Sequence, residues 1–295
     1  MSSRSVHVPV MPREVLHYLQ LSDGLTVLDG TVGAAGHSSK IVEKIGSAGR
    51  LFGFDRDPMM LQFAREKLPE DNVTLFHSSY TNAQELLAEA GVEGVDRVLL
   101  DLGLSSDQLS DRERGFGFDA GGPLDMRFDT SRGQTAAELL QTSDQAKIAQ
   151  ILTDFGEEKF ARQIADEVCR RKSTNRITTT QDLEDCIRSA IPRGAAGSRN
   201  PATRAFQALR IAVNDELKHV QDMMNSVLPS ILKPDGIAVI LTFHSLEDRI
   251  VKSAFKGQQQ WQPLTKTPIE ATPAEIRLNP RSRSAKLRAA TRKHP

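Results

Sequence analysis

Over the first hundred residues, short apolar runs alternate with amphipathic stretches. Residues 12–20 predict a helix, with Pro12 at its first position and Val15, Leu16 and Leu19 on one face. Apolar runs at 27–29, 51–55, 73–76 and 95–101 read as strands. Between them, 38–45 closed by Gly46, 58–68 and 82–90 closed by Gly91 read as helices. Strands and helices alternating at this pitch predict an α/β fold, a parallel sheet with right-handed crossovers. Ligands in such sheets bind beyond the carboxyl ends of the strands.

From residue 102 to 133 the periodicity stops. Phe116, Phe118, Leu124, Met126 and Phe128 are too apolar for a solvated linker, so an ordered active-site loop is expected. Phe116 and Phe118 fit either base stacking or a small core beneath the loop. Residues 134–191 carry only helical periodicity. Ser143 is expected to cap a helix with Ile148, Ile151, Leu152 and Phe155 on its stripe. Phe160, Ile164 and Val168 form a second stripe, and Leu183, Ile187 and Ile191 a third. From Asn200-Pro201 one long helix is expected, its stripe running from Phe206 through Leu209, Val213, Leu217, Val220 and Met224 to Ile231. A fifth strand at 236–243 ends in His244-Ser245-Leu246-Glu247, and 261–269 and 285–290 are candidates for the last two. The organisation expected is a sheet domain from 1–133 and 206–295, with a helical substrate-recognition domain, 134–205, inserted.

Length and charge sharpen this. The 295 residues allow one large or two moderate domains, and 39% hydrophobic content supports a sizeable core. Cys169 and Cys186 lack metal-ligand spacing, so neither a disulfide framework nor a metal site is expected. No apolar run approaches a membrane span, and the N-terminus lacks a signal-type core, so a soluble cytoplasmic protein is expected. Lys+Arg and Asp+Glu balance at 38 each, but unevenly along the chain. No acid lies between Asp185 and Asp215, where Arg188, Arg193, Arg199, Arg204 and Arg210 fall. None follows Glu275, where Arg277, Arg281, Arg283, Lys286, Arg288, Arg292 and Lys293 fall. Two basic segments on a neutral chain suggest a polyanion touched at defined places, though a frayed, solvated tail has the same composition.

The candidate chemistry sits at strand ends. Asp29-Gly30-Thr31-Val32-Gly33-Ala34-Ala35-Gly36-His37 runs from the first strand into a helix. Its glycines are spaced Gly-x-x-Gly-x-x-Gly, unlike the Gly-x-Gly-x-x-Gly of dinucleotide enzymes. Such a turn suits close approach of a nucleotide-like ligand to a helix N-terminus. It equally suits an ordinary turn. Asp55 lies 19 residues after Gly36, near the interval at which an acid reaches an adenosine ribose. Asp57, followed by Pro58, is the better helix cap, which leaves Asp55 for a ligand. Asp101 adds a third strand-end acid. A carboxylate-lined cleft favours a cationic cofactor such as S-adenosylmethionine over a pyrophosphate, so methyl transfer leads and hydride transfer remains the alternative.

Several stretches together closely resemble the RsmH (MraW) family. They include Asp29-Gly30-Thr31-Val32-Gly33, Asp55-Arg56-Asp57-Pro58, Leu100-Asp101-Leu102-Gly103-Leu104-Ser105-Ser106, Gly122-Pro123-Leu124-Asp125-Met126-Arg127, Asn200-Pro201-Ala202-Thr203-Arg204, Phe243-His244-Ser245-Leu246-Glu247-Asp248-Arg249 and Asn279-Pro280-Arg281. The resemblance covers essentially the whole chain. It implies a Rossmann-like class I methyltransferase sheet and S-adenosylmethionine-dependent methylation of N4 of a cytidine in the decoding (P-site) region of 16S ribosomal RNA. It implies the small (30S) subunit as partner and leaves a homodimer open. Cofactor contacts are implied along Gly33, Ala35, Gly36 and His37, and at Asp55, Tyr80, Asp101 and Gln108. Ala35 stands where the family commonly has glycine, and Tyr80 where phenylalanine is frequent. Asp101 is the candidate acceptor near the reacting amine or a pure cofactor contact. His244 is either near the substrate or a structural strand-end histidine. Arg199, Arg204, Arg210, Arg281 and Arg283 are the expected RNA-holding residues.

Overall fold

The computed structural model describes residues 8–69, 71–117, 121–174, 177–192, 200–257 and 259–294. The chain divides into two compact units, Met1–Ser105 with Leu217–Pro295, and Ser106–Glu216.

The first unit is a Rossmann-like α/β domain. Strands β1 (Thr26–Asp29), β2 (Arg50–Asp55), β3 (Val73–His77), β4 (Val95–Asp101) and β5 (Leu232–Thr242) are parallel. The short β6 (Trp261–Pro263) and β7 (Ile269–Glu270) pair antiparallel with β8 (Lys286–Arg292), which runs antiparallel beside β5. The order is β3-β2-β1-β4-β5-β8-β6, so the winding reverses between β1 and β4. In open α/β sheets the ligand crevice lies outside the carboxyl ends of the strands at such a reversal.

Neighbouring residues on each strand enter opposite cores. Leu28, Phe52, Phe54, Leu100 and Ile240 pack on one face, and Val27, Leu51, Leu99, Val239 and Leu241 on the other. Helices cover both faces, which is why the strands read as continuous apolar runs. α1 (Pro12–Leu19), α2 (Gly36–Ile45) and α3 (Pro58–Lys67) bury Val15, Leu19, Ile41, Ile45 and Ala64 in the second core. α4 (Ala83–Glu89) contributes Leu87 to the first. Asp57 caps α3 by accepting from the Met59 N–H at 3.0 Å, with Pro58 following, as the sequence predicts.

The second unit begins with α5 (Ser106–Ser110) and continues through α6 (Ala136–Thr142), α7 (Gln145–Gly156), α8 (Ala161–Thr174), α9 (Thr180–Ala190) and α10 (Thr203–Asn214). Its limits lie outside the expected 134–205. The backbone hydrogen bonds of the 102–133 stretch explain why. Leu124 N–H donates to Thr178 O at 2.8 Å, Thr180 N–H to Gly122 O at 3.0 Å and Ala136 N–H to Asp125 O at 2.7 Å. The Asn214 side chain clasps the same stretch, donating to Met126 O and accepting from Phe128 N–H. Phe116 is buried with its ring centroid 5.6 Å from that of Phe128, so it belongs to a local core. Phe118 lies outside the described residues. The cap of α7 is Asp144, whose carboxylate accepts from Lys147 N–H at 2.7 Å, while Ser143 closes α6.

The single long helix expected from residue 200 onward is interrupted. Asp215 adopts a left-handed conformation that ends α10. α11 (Glu216–Asp222) follows, then a π-helical turn Met223–Val227 and α12 (Leu228–Ile231). Pro229 has no N–H to give to the preceding turn, and the widened π turn falls immediately before it. The apolar spacing in the sequence runs on past these breaks, so periodicity alone does not reveal them. α13 (Ser245–Gly257) packs Val251, Ala254 and Phe255 into the first sheet core, and α14 (Pro273–Leu278) precedes β8.

Candidate functional site at the strand ends

The turn after β1 is held by its own polar side chains. Asp29 is buried and accepts from Thr31 N–H at 3.0 Å and from Ser38 Oγ at 2.6 Å, joining the end of β1 to the start of α2. Burial pushes the Asp29 carboxyl above its ordinary range, against the pull of those hydrogen bonds. Thr31 Oγ1 accepts from Asp101 N–H at 2.7 Å, which locks the turn to the end of β4. Gly30 makes this approach possible, because a Cβ there would stand 2.3 Å from Leu100 Cδ2. Asp29 is expected as a strand-end acid, but its bonds to Thr31 and Ser38, and Thr31 itself, are not. An acid followed two residues later by threonine at a strand end is the signal that was available.

Gly33, at φ +53°, and Ala35, at φ 61°, both take left-handed backbone. Ala35 precedes the first residue of α2 and is fully buried, so its methyl group is accommodated where glycine is common. Gly36 opens the helix, with Pro9 packed against it.

Asp55 is less free than expected. One carboxylate oxygen accepts from Gly33 N–H at 2.8 Å and the other from Asp57 N–H at 2.9 Å. Each oxygen keeps a further lone pair, so two ligand hydroxyls can still be accepted. Burial raises its pKa to about 7. Asp55 thus positions the glycine turn as well as facing the crevice.

His37 and Asp101 meet at the topological reversal. His37 Nε2 lies 3.5 Å from Asp101 Oδ2, close enough for an ion pair but without hydrogen-bond geometry. Both His37 Nε2 and Asp101 Oδ1 are buried polar atoms without a hydrogen-bond partner among the described residues. Such atoms are costly unless a ligand or water satisfies them. Tyr80, buried after β3, stands beside Gly30, and its ring lies 6.3 Å edge-on from His219. His219 Nδ1 in turn lies 2.8 Å from Ser79 Oγ. No pattern in the sequence points to His219, which lies off the apolar stripe of α11. Gln108 lies in α5 of the second unit and is buried there.

His244 is drawn into its own helix. Its Nδ1 faces Glu247 N–H at 3.4 Å, and Glu247 reaches back to accept from Phe243 N–H at 2.8 Å and His244 N–H at 3.3 Å. This is a reciprocal cap with histidine in the place of serine or threonine. His244 Nε2 stands 3.0 Å from Glu247 Oε1 at an angle too poor for a hydrogen bond.

The arginines divide. Arg210 is held by two bonds to Glu216, at 2.8 and 3.0 Å, and so is not poised for phosphate. Arg281 is half-buried and donates to Leu104 O at 3.5 Å. Arg204 and Arg283 are exposed, with no ion pair to another described residue. Arg199 lies outside the described residues.

The donor set fits S-adenosylmethionine. Three carboxylates converge at adjacent strand ends, burial holds two of them above their ordinary range, and Asp101 Oδ1 is unpartnered. A cation relieves that arrangement, whereas a pyrophosphate would aggravate it. Asp55 would receive the ribose hydroxyls, Tyr80 the adenine face, and the Gly33–His37 turn with Asp101 the amino-acid end.

A family model described as the MraW methylase family matches residues 4–293. The chain is 44% identical to the "Ribosomal RNA small subunit methyltransferase H" of Geobacter sulfurreducens, over 96% of this chain and 98% of that one. It is 44% identical to the protein of the same name from Sorangium cellulosum, over 97% and 90%. For the one from Heliobacterium mobile the identity is 43%, over 96% and 98%. Matched over nearly its whole length, with the strand-end acids and glycine turn in place, the chain belongs to the MraW methylase family.

Proposed function

We propose that this protein methylates small-subunit ribosomal RNA, using S-adenosylmethionine to modify N4 of a cytidine in the decoding region of the 16S molecule. The observation that carries the reading is the pair of buried, unpartnered atoms, His37 Nε2 and Asp101 Oδ1, at the reversal of the sheet. An acceptor left open in a carboxylate-rich crevice is suited to a cation and to an amine. The names of the full-length relatives supply the RNA class.

The cofactor supplies an electrophilic methyl group carried on a sulfonium. The Asp29–Thr31–Asp101 network fixes the two loops between which it would lie, so that orientation is set before the substrate arrives. Cytosine N4 is a weak nucleophile because its lone pair is delocalised into the ring. Attack forms the N4–carbon bond as the sulfur–carbon bond breaks, and N4 must shed a proton. In this reading Asp101 Oδ1, left open beside the cofactor's amino-acid end, accepts from the amine and receives that proton. His244 keeps the β5–α13 turn in shape. The target base must leave its stack to reach the crevice, which favours a loop or single strand. The helical unit and the basic segments are assigned to holding that RNA.

The test is transfer from labelled S-adenosylmethionine to small ribosomal subunits lacking the modification. Label is expected as N4-methylcytidine, and Asp101→Ala should abolish it. Failure of the wild-type chain to bind S-adenosylmethionine would remove the methyl-transfer assignment.

A further inference from the structure

Leu278, the last residue of α14, is 88% exposed, the most exposed large apolar side chain among the described residues. Val8, at 57%, is second. The two are joined, since Asn279 Nδ2 donates to Val8 O at 3.3 Å. A single exposed leucine is unremarkable on its own. This one sits on a platform that the rest of the unit holds firmly.

Thr272 caps α14, with Pro273 in its first turn and Thr272 Oγ1 accepting from Glu275 N–H at 3.2 Å. The Glu275 carboxylate accepts from Met11 N–H at 2.5 Å. Beyond the helix, fully buried Ser282 donates through Oγ to Asn279 O at 2.8 Å. The platform is tied at two points to the loops that form the crevice. Pro9, next to Val8, packs on Gly36, and Arg281 donates to Leu104 O, three residues beyond Asp101. No acid follows Glu275 in the sequence. Arg277 and Arg283, both exposed and without an ion pair to another described residue, flank the leucine in sequence.

Rigid backing, an apolar tip and flanking guanidinium groups fit one occupant, an RNA strand. Apolar wedges inserted at a base step unstack it, while arginines hold the adjoining phosphates. We infer that Leu278 is a wedge residue, entering the RNA stack beside the target cytidine and favouring its extrusion, with Arg277 and Arg283 gripping the flanking backbone. The inference rests on the RNA-methylating role proposed above and makes Leu278 a positioning residue, remote from the reacting atoms.

The test compares wild type, Leu278→Ala, Leu278→Met and Arg277→Gln on small subunits lacking the modification. Methyl transfer is read together with acylation of the ribose 2′-hydroxyls of nucleotides flanking the target, which react when unstacked. Leu278→Ala should lower kcat/KM roughly tenfold, the scale of a lost unstacking contribution. It should also abolish the enhanced acylation and leave S-adenosylmethionine binding unchanged, with Leu278→Met restoring both signals. Arg277→Gln should raise KM, reduce the salt dependence and keep the acylation pattern. Wild-type kcat/KM and acylation in Leu278→Ala would overturn the wedge while leaving the methylation assignment intact. So would a change of oligomeric state in that variant without a methylation defect, since the patch would then serve a second copy of the chain. Label on a base other than cytidine, with the Leu278 effect preserved, would overturn the assigned product alone. Wild type that neither methylates nor alters acylation would overturn both.

Discussion

Asp55 holds the glycine turn and, in the proposed site, would also receive the ribose, and pH separates these two roles. Its oxygens fix Gly33 and Asp57 through their N–H groups, yet only the ionised carboxylate can also accept ribose hydroxyls. Because burial raises its pKa to about 7 from a model-peptide value of 3.8, Asp55 favours folding below the lower value. That contribution is lost as pH rises through the higher one. A ligand that needs the ionised form has the opposite slope. The rise in Tm produced by S-adenosylmethionine should therefore grow between pH 5.5 and 8, which thermal unfolding with and without cofactor measures. A flat dependence would remove Asp55 from the ribose. Ala35 offers a second test. Glycine would relieve left-handed strain of about 1–2 kcal/mol. It would also give up about 0.8 kcal/mol of methyl burial and about 0.5–1 kcal/mol of chain entropy. Ala35→Gly is thus expected to be nearly neutral. Ala35→Val should cost about 2 kcal/mol or more, since a branched side chain must fit a left-handed, fully buried position. Urea titration distinguishes them.

At the scale of elements, the α13–β8 contact is the most sensitive to a single change. Arg288, buried on β8, is gripped by Asp248 on α13 at 2.7 and 3.0 Å. Asp248→Ala strands that guanidinium and should cost about 3–5 kcal/mol. Asp57→Ala, which removes only the cap of α3, should cost about 1 kcal/mol. Equal losses in chemical denaturation would contradict this ranking. These elements also mark how much was legible. The four early strands and three of their helices, with Asp57 and Pro58 at the start of α3, follow from local signals, because periodicity and caps act within one element. The break at Asp215 does not, since the apolar spacing of the sequence runs on past it. The membership of the 102–133 stretch was hidden for another reason. Its partners, Thr178 and Asn214, lie far along the chain, and no local pattern encodes a long-range backbone hydrogen bond. In the site, Asp55 and Asp101 were legible as strand-end acids. The arginine pairs were not, because composition counts Arg210 as a free cation while Glu216 neutralises it.

Across the whole molecule, formal charge sums to zero, so attraction to RNA must come from cations left unpaired at particular places. In the two acid-free segments Arg188, Arg210 and Arg288 are held by carboxylates, and Arg292 donates to the Leu232 carbonyl. Arg204, Arg277 and Arg283 make no ion pair with another described residue. If each neutralises one phosphate, with Arg193, Arg199, Lys286 and Lys293 adding up to four more, counterion release gives a log–log salt slope of magnitude about 2 to 5 for a single-stranded target. Were every cation of both segments engaged, the slope would approach about 8. Binding of small subunits should accordingly weaken by roughly one to three orders of magnitude between about 50 and 200 mM salt. S-adenosylmethionine, if it binds among the strand-end carboxylates as proposed, should respond little over the same range. Measuring both affinities across one salt series separates the two kinds of electrostatics in one chain. A subunit slope near 8 would mean that the carboxylate-held arginines release their partners on binding, and a steep cofactor slope would place that site nearer to solvent than Asp29 and Asp101 require.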